Sequence, residues 1–226
     1  MYQMKLIVDA RQNMVDSQLR PNRVTNPNIL SVMSDLPREY FVPTAKKDSA
    51  YIDEDIEVSS GRYLMEPLVV ARLIQALEIT IDSTVLNVGC GSGYDSALLS
   101  MLAGSVVALE SDPQLVSLAT AVLEKLKIDN VTVIEAPMTR GCSIQSPYDA
   151  ILISGAIDEV PKQIFNDLAE GGRLAAVIGG DPRGIPGRAH IFIKTGESYS
   201  SRPLFDAGTK LLPGFQSEEK FVFNTG

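Results

Sequence analysis

Tryptophan is absent from this chain, histidine occurs once, and cysteine occurs twice in 226 residues. Cys90 and Cys142 are too few for a disulfide framework, and His190 stands without the spaced Cys or His partners a zinc site needs, so no metal is expected. That usage fits a reducing compartment. Positive charge is also scarce: 20 Lys and Arg against 28 Asp and Glu leave a net charge of −8. Such a chain has no cationic surplus for a phosphate backbone, and nucleic acid is not an expected partner. No apolar run approaches a membrane span, and Lys5, Asp9 and Arg11 interrupt the stretch where a signal peptide would carry its apolar centre. The expectation is a soluble, cytoplasmic protein with no membrane partner.

Apolar residues make up 45% of the chain, enough for the core of one large α/β domain. Within it, Thr84-Val85-Leu86-Asn87-Val88 runs straight into Gly89-Cys90-Gly91-Ser92-Gly93 and then Tyr94, an apolar strand followed by three alternating glycines. Glycines strip Cβ atoms from a tight strand-to-helix loop, so backbone can approach a ligand and amides at the helix start can point at it. A dinucleotide fingerprint would place glycine where Tyr94 stands, and a P-loop would need a lysine, of which there is none between Thr84 and Lys125. The remaining candidate is a ligand with an adenosine and no pyrophosphate. Glu110 supports it: this residue ends the apolar run Val106-Val107-Ala108-Leu109, 21 residues after Gly89, where an acid at a strand tip meets ribose hydroxyls.

Residues 1 to about 80 read as a helical extension and 81–226 as a Rossmann-like core, both parts of one domain. Asn26-Pro27 is an N-cap with proline at the first helical position, and Pro37 ends that run. Pro67 opens a second helix with Val70, Leu73, Ile74 and Leu77 on one face. Strands at 84–88, 105–109 and 131–135 alternate with helices at 93–102 and 113–127, which gives adjacent parallel strands. A strand over 149–153, a helix from Val160 to Ala169 closed by Gly171-Gly172, and a strand over 173–178 continue the sheet on the other side. The reversal would leave a crevice at the glycine strand. Ala189, Ile191 and Ile193, then Phe221-Val222-Phe223, suggest an antiparallel finish, and 179–187 a flexible connection. Segment 196–219 is a candidate lid or self-association element.

Leu36-Pro37-Arg38-Glu39-Tyr40-Phe41-Val42-Pro43, the Glu66-Pro67 to Ala71-Arg72 helix start, Gly91-Ser92-Gly93-Tyr94, Pro147-Tyr148-Asp149-Ala150-Ile151 and Glu170-Gly171-Gly172-Arg173-Leu174 together carry a resemblance. The chain resembles the S-adenosylmethionine-dependent methyltransferases, and within them the protein-L-isoaspartate (D-aspartate) O-methyltransferases, from about Met14 to Gly179. The upstream Pro-Arg-Glu-x-Phe-Val-Pro pattern discriminates that branch. The resemblance implies a doubly wound, mostly parallel seven-stranded sheet with an N-terminal helical extension. It implies S-adenosylmethionine as cofactor, with contacts from Asn87, Gly89, Cys90, Gly91, Gly93, Glu110, Ser111, Pro137 and Met138. The implied activity is methylation of isoaspartyl carboxylates in damaged protein or peptide. A carboxylate acceptor is ionised at neutral pH, so alignment matters more than a base. The donor's sulfonium is expected to lie away from cationic side chains, and none occurs between Gly89 and Asp95.

Three positions depart from the family pattern. Its substrate loop, Gly-Gln-Thr-Ile-Ser-Gln-Pro, is here Gly61-Arg62-Tyr63-Leu64-Met65-Glu66-Pro67, so Met65 replaces the serine near the acceptor and no catalytic residue is assigned. Gly-Asp-Gly, whose Asp reaches the adenine, is here Ala136-Pro137-Met138, and Asn87 replaces an acidic residue. Three outcomes stay open: an isoaspartyl methyltransferase with a rearranged loop, a methyltransferase for a small acceptor fitted against Tyr63, Leu64 and Met65, or a non-catalytic relative. Met65 reads equally as core filler or ligand-facing. His190 reads as structural, Cys90 as a small residue in a crowded turn, and Asp95 and the Asp158-Glu159 pair as acids at helix starts.

Overall fold

The computed structural model describes residues 2–180 and 185–216. Its centre is a seven-stranded sheet of order β5-β4-β3-β6-β7-β8-β9. β3 (Thr84–Val88), β4 (Ser105–Glu110), β5 (Val131–Glu135), β6 (Tyr148–Ile157) and β7 (Leu168–Ile178) are parallel; β8 (Gly187–Thr195) and β9 (Ser198–Ala207) close the sheet antiparallel. The chain winds from β3 outward to β5, then returns to the other side of β3 as β6, so the switch point lies between β3 and β6. Period-two alternation divides the buried strands. Val85, Val106, Ala150, Leu152, Ala175 and Val177 enter the core that also holds the N-terminal helices. Leu86, Val107, Ile151, Ile153, Leu174 and Ala176 enter the opposite one.

The helices start where local chemistry favours it. Asn26 Oδ1 accepts from the amides of Asn28 at 2.9 Å and Ile29 at 3.4 Å to open α2 (Pro27–Asp35). Asp112 does the same for Gln114 at 2.8 Å to open α5 (Pro113–Lys125). α1 (Tyr2–Asn13) precedes them and continues through a π turn, Met14–Leu19, and a 3-10 turn, Arg20–Asn22. α3 (Pro67–Leu77) buries Val70, Leu73, Ile74 and Leu77, the face the spacing predicts. Among the described residues no helix is long and apolar enough to cross a membrane.

Five elements differ from the sequence expectation. The segment before α3 is not all helical: β1 (Ile56–Ser59) and β2 (Arg62–Leu64) form a separate antiparallel hairpin. Gly171-Gly172 does not cap a helix. α6 spans only Lys162–Asn166, and the glycines lie inside β7, where the register with β6 jumps from Tyr148↔Leu168 to Ala150↔Arg173. Gly171 has φ +72° there, and a Cβ on Gly172 would lie 2.9 Å from the Ala169 carbonyl, so the irregularity requires both glycines. The last strand before the described chain ends is β9, within the segment read from sequence as a candidate lid or self-association element; Phe221–Phe223 lies outside the described residues. β9 is an edge strand, mostly solvated and tolerant of Pro203, so it lacks the apolar signal of a buried strand.

Candidate active site

The glycine loop sits at the carboxyl end of β3, at the switch point. Gly89, Gly91 and Gly93 adopt φ of +76°, +55° and +95°, conformations that cost other residues strain. A Cβ on Gly93 would come within 3.1 Å of the Ala119 Cβ, which lets α5 pack directly against α4 (Tyr94–Ser100). The loop's amides do not project outward as the sequence suggests. Gly89 and Cys90 donate to the Leu109 carbonyl at 2.8 and 3.2 Å, Gly93 donates to Cys90 at 2.9 Å, and Gly91 donates to Glu110 Oε2 at 2.9 Å.

Glu110 is at the tip of β4 and fully buried. Its Oε1 accepts from the amides of Ser111 at 2.8 Å and Asp112 at 3.1 Å. Arg62 adds a fork: Nη1 donates to Oε1 at 2.5 Å and Nη2 to Oε2 at 2.7 Å, with a longer contact of 3.3 Å from Nη2 to the Gly89 carbonyl. Burial opposes ionisation of Glu110, but Arg62 and the amides of Asp112 and Gly91 outweigh it and hold the carboxyl below its ordinary range. The expectation of a loop free of cations is therefore corrected. The guanidinium arrives from β2, 27 residues before Gly89 in sequence.

A second occupant comes from beyond β9. The strap 208–216 runs beside the end of β6: Ala156 donates to Lys210 at 2.9 Å, Leu212 to Ala156 at 2.8 Å, and Asp158 to Phe215 at 3.3 Å. Leu212 lies over the glycine loop, its Cδ1 3.0 Å and the Met138 Sδ 3.5 Å from where a Gly89 Cβ would stand. A Cβ on Gly155 would come within 2.6 Å of Leu212 Cγ, so a small residue there admits the strap. Arg62, Met138 and Leu212 together leave the whole loop buried. Part of the lid expectation for 196–219 thus takes form in the strap, while 198–207 is sheet.

The strap and the Arg62 hairpin are tied together. Asp55 Oδ2 accepts from Thr209 Oγ1 at 2.8 Å and the Lys210 amide at 3.1 Å, and its Oδ1 accepts from the Glu66 amide at 2.9 Å. Burial, with Asp53 and Asp55 nearby, pushes the Glu66 carboxyl from 4.5 up to about 7. The folded protein therefore binds a proton there that the unfolded chain does not, and this group's contribution to stability falls as pH rises from 4.5 to about 7. Urea midpoints of Glu66→Gln should show a flatter dependence across that window than wild type.

The other sequence candidates divide sharply. Asn87 is fully buried and internally paired: Nδ2 donates to Ser154 Oγ at 2.7 Å and Leu152 O at 3.3 Å, and Oδ1 accepts from Ser96 at 2.7 Å. Through these bonds it braces β3, β6 and α4. Met65 and Leu64 belong to the N-terminal core, and Tyr63 is half-buried. Ser111 and Pro137 are exposed beyond the ends of β4 and β5. Cys90 is free and buried, and burial, followed by the nearby Glu110 charge, pushes its thiol up. Asp95 is no surface acid; it is 2% exposed and burial raises its pKa. Asp158 and Glu159 line a depression with Phe165, Phe192 and His190, whose Nδ1 is 3.0 Å from Ser201 Oγ.

Arg62 and Arg38 stand in the quoted sequence motifs, but the sequence reading gives neither a role. Arg38 is fully buried beneath the loop, with its guanidinium carbon 4.6 Å from the Tyr94 ring centroid. The upstream Pro37–Pro43 block and the glycine helix thus meet at Tyr94, through this cation–π contact and through Phe41, whose ring packs edge-on at 5.4 Å. An Arg two residues before an apolar Leu64-Met65 pair is a weak signal for Arg62, because nothing local names Glu110 as its partner.

Known proteins resemble this chain over most of its length. A family model described as protein-L-isoaspartate (D-aspartate) O-methyltransferase matches residues 10–186. A protein-L-isoaspartate O-methyltransferase of Koribacter versatilis is 37% identical over 169 residues, 75% of this chain and 76% of that one. One from Rhodopseudomonas palustris is 36% identical over 171 residues, 76% and 70% of the two chains. A solved protein-L-isoaspartate O-methyltransferase superposes with a TM-score of 0.74 at 23% identity, covering 94% of this chain and 66% of that one. The corresponding Plasmodium falciparum protein, solved in complex with S-adenosyl-L-homocysteine, gives 0.72 at 22% identity over 89% and 97%. At those identities the structures establish the fold, and the curated relatives establish the rest: the chain belongs to the protein-L-isoaspartate (D-aspartate) O-methyltransferase family of enzymes.

Proposed function

We propose that this protein transfers the methyl group of S-adenosylmethionine to the free carboxylate of isoaspartyl residues in cytoplasmic protein or peptide. The observation that carries this reading is the pairing of loop and acid: a buried carboxylate at the tip of β4, bonded to the amide of Gly91 in the glycine turn at the end of β3. That frame fits an adenosine-bearing cofactor, with Glu110 for the ribose diol, Gly89 to Gly93 for the methionine part, and Ser111, Pro137 and Met138 around the adenine. Arg62 and Leu212 stand inside the same frame and must move for it to be used.

When bound, the cofactor supplies a methyl group on a sulfonium, and the protein's own task is alignment and exclusion of water. The isoaspartyl carboxylate is ionised at neutral pH and needs no strong base. Because Met65 lies in the core, the acceptor side of the site falls to the half-buried Tyr63 and the main chain of β2. The test is incorporation of labelled methyl into an isoaspartyl peptide against its aspartyl isomer. We expect incorporation only into the isoaspartyl form. Cofactor binding without incorporation would remove the acceptor from this reading.

A further inference from the structure

The oxygens of Glu110 accept from the amides of Gly91, Ser111 and Asp112 and from both terminal nitrogens of Arg62. A carboxylate offers roughly four acceptor positions, so this one is saturated. A ribose diol would need two of them. The amides belong to the loop and the strand end and cannot withdraw without dismantling both; Arg62 is the one removable donor. It is carried by the β1–β2 hairpin, a two-stranded sheet separate from the central one, whose turn at Gly61 is exposed. Asp55 links that hairpin to the strap bearing Leu212, so the two occupants of the loop are coupled.

We propose that Arg62 is an internal competitor for the cofactor: it pairs the ribose-binding carboxylate with the protein itself, and S-adenosylmethionine or its thioether product binds as Arg62 withdraws with the hairpin. This rests on the cofactor reading above. Two physical consequences follow. Apparent affinity is reduced by the fraction of molecules in which Glu110 is released. The discrimination is also electrostatic, since a guanidinium left in the site would repel the donor's cation.

Calorimetry with S-adenosylhomocysteine on the full-length wild type, Arg62→Gln and Arg62→Ala tests the idea, each protein first shown folded by its melting transition. Both variants should bind at least ~10-fold more tightly than wild type, the gain expected when a competing conformation is removed. Hydrogen exchange adds a readout that a merely structural arginine would not move. Cofactor should accelerate exchange in wild-type residues 56–64 while protecting 89–93, and the acceleration should vanish in Arg62→Gln. Equal affinity in wild type and both variants overturns the competitor while leaving the cofactor reading intact. Absence of binding in all three folded proteins, at millimolar cofactor, overturns both.

Discussion

Replacing Glu110 with alanine should lower the unfolding free energy by about 3–5 kcal/mol, the cost of orphaning a buried charge. The side chain is fully buried, and its loss strands the Arg62 guanidinium, 5% exposed, together with the amides of Gly91, Ser111 and Asp112. Arg62→Ala removes the other member of the pair at a smaller cost, roughly 1–3 kcal/mol, because three amides still solvate the carboxylate left behind. The order of the two is the diagnostic, and urea titration at constant m-value measures it. If Arg62→Ala proved the more damaging, the carboxylate would depend on the arginine for its ionisation and the amides would count for little. The double variant should fall short of the sum of the singles, since the second substitution no longer breaks an ion pair.

The same carboxylate sets an acid limit. Its folded pKa lies below the ordinary 4.5, so the stability it contributes is fully present above that value and is lost as pH falls through the folded pKa. Glu66 has the opposite sign, losing its contribution between 4.5 and about 7. Two acids near one hairpin thus slope in opposite directions, and Glu66→Gln separates them. It removes the neutral-side slope and leaves the acid-side one.

What the sequence conveyed and what it withheld divide along a physical line. Signals carried within a single strand–helix–strand unit were legible. Asn26 and Pro27 announced α2, the apolar runs announced β3 to β6, and glycines 89, 91 and 93 announced a tight turn after a buried strand. The spacing to Glu110 placed an acid beside that turn. Contacts closed across long sequence distances were not legible. Arg62 is 48 residues from Glu110, and Thr209 is 154 from Asp55. The hairpin escaped because its strands have only four and three residues, too few to display alternation. β9 escaped because an edge strand needs apolar residues on little more than one face. Met65 could be read either way from its neighbours, and only packing decides that it is core.

Arg38→Ala should cost about 3–5 kcal/mol, comparable to Glu110→Ala but through a different mechanism. Arg38 is fully buried, and it donates from Nε to the Ala50 carbonyl and from Nη2 to the Met65 carbonyl, both at 2.7 Å. Ala50 closes the 3-10 helix Thr44–Ser49 and Met65 lies between β2 and α3, so the arginine fastens the segment before α3 to the N-terminal block. Its Nη1 has no hydrogen-bond acceptor among the described residues, although the buried Asp95 carboxyl lies close enough to interact with its charge. The Tyr94 ring adds a cation–π contact at 4.6 Å. Arg38→Met separates these contributions, since it retains most of the side chain's bulk and abolishes the donors. A loss of roughly 2 kcal/mol or more for Met would assign the effect to two unpaired carbonyls, at about 1–3 kcal/mol each. A wild-type midpoint for Met would show that packing alone matters. Because Arg38 also lies against Tyr94 at the start of α4, the alanine variant should loosen the glycine turn. Faster amide exchange at 91–94 than in the methionine variant is the expected signature.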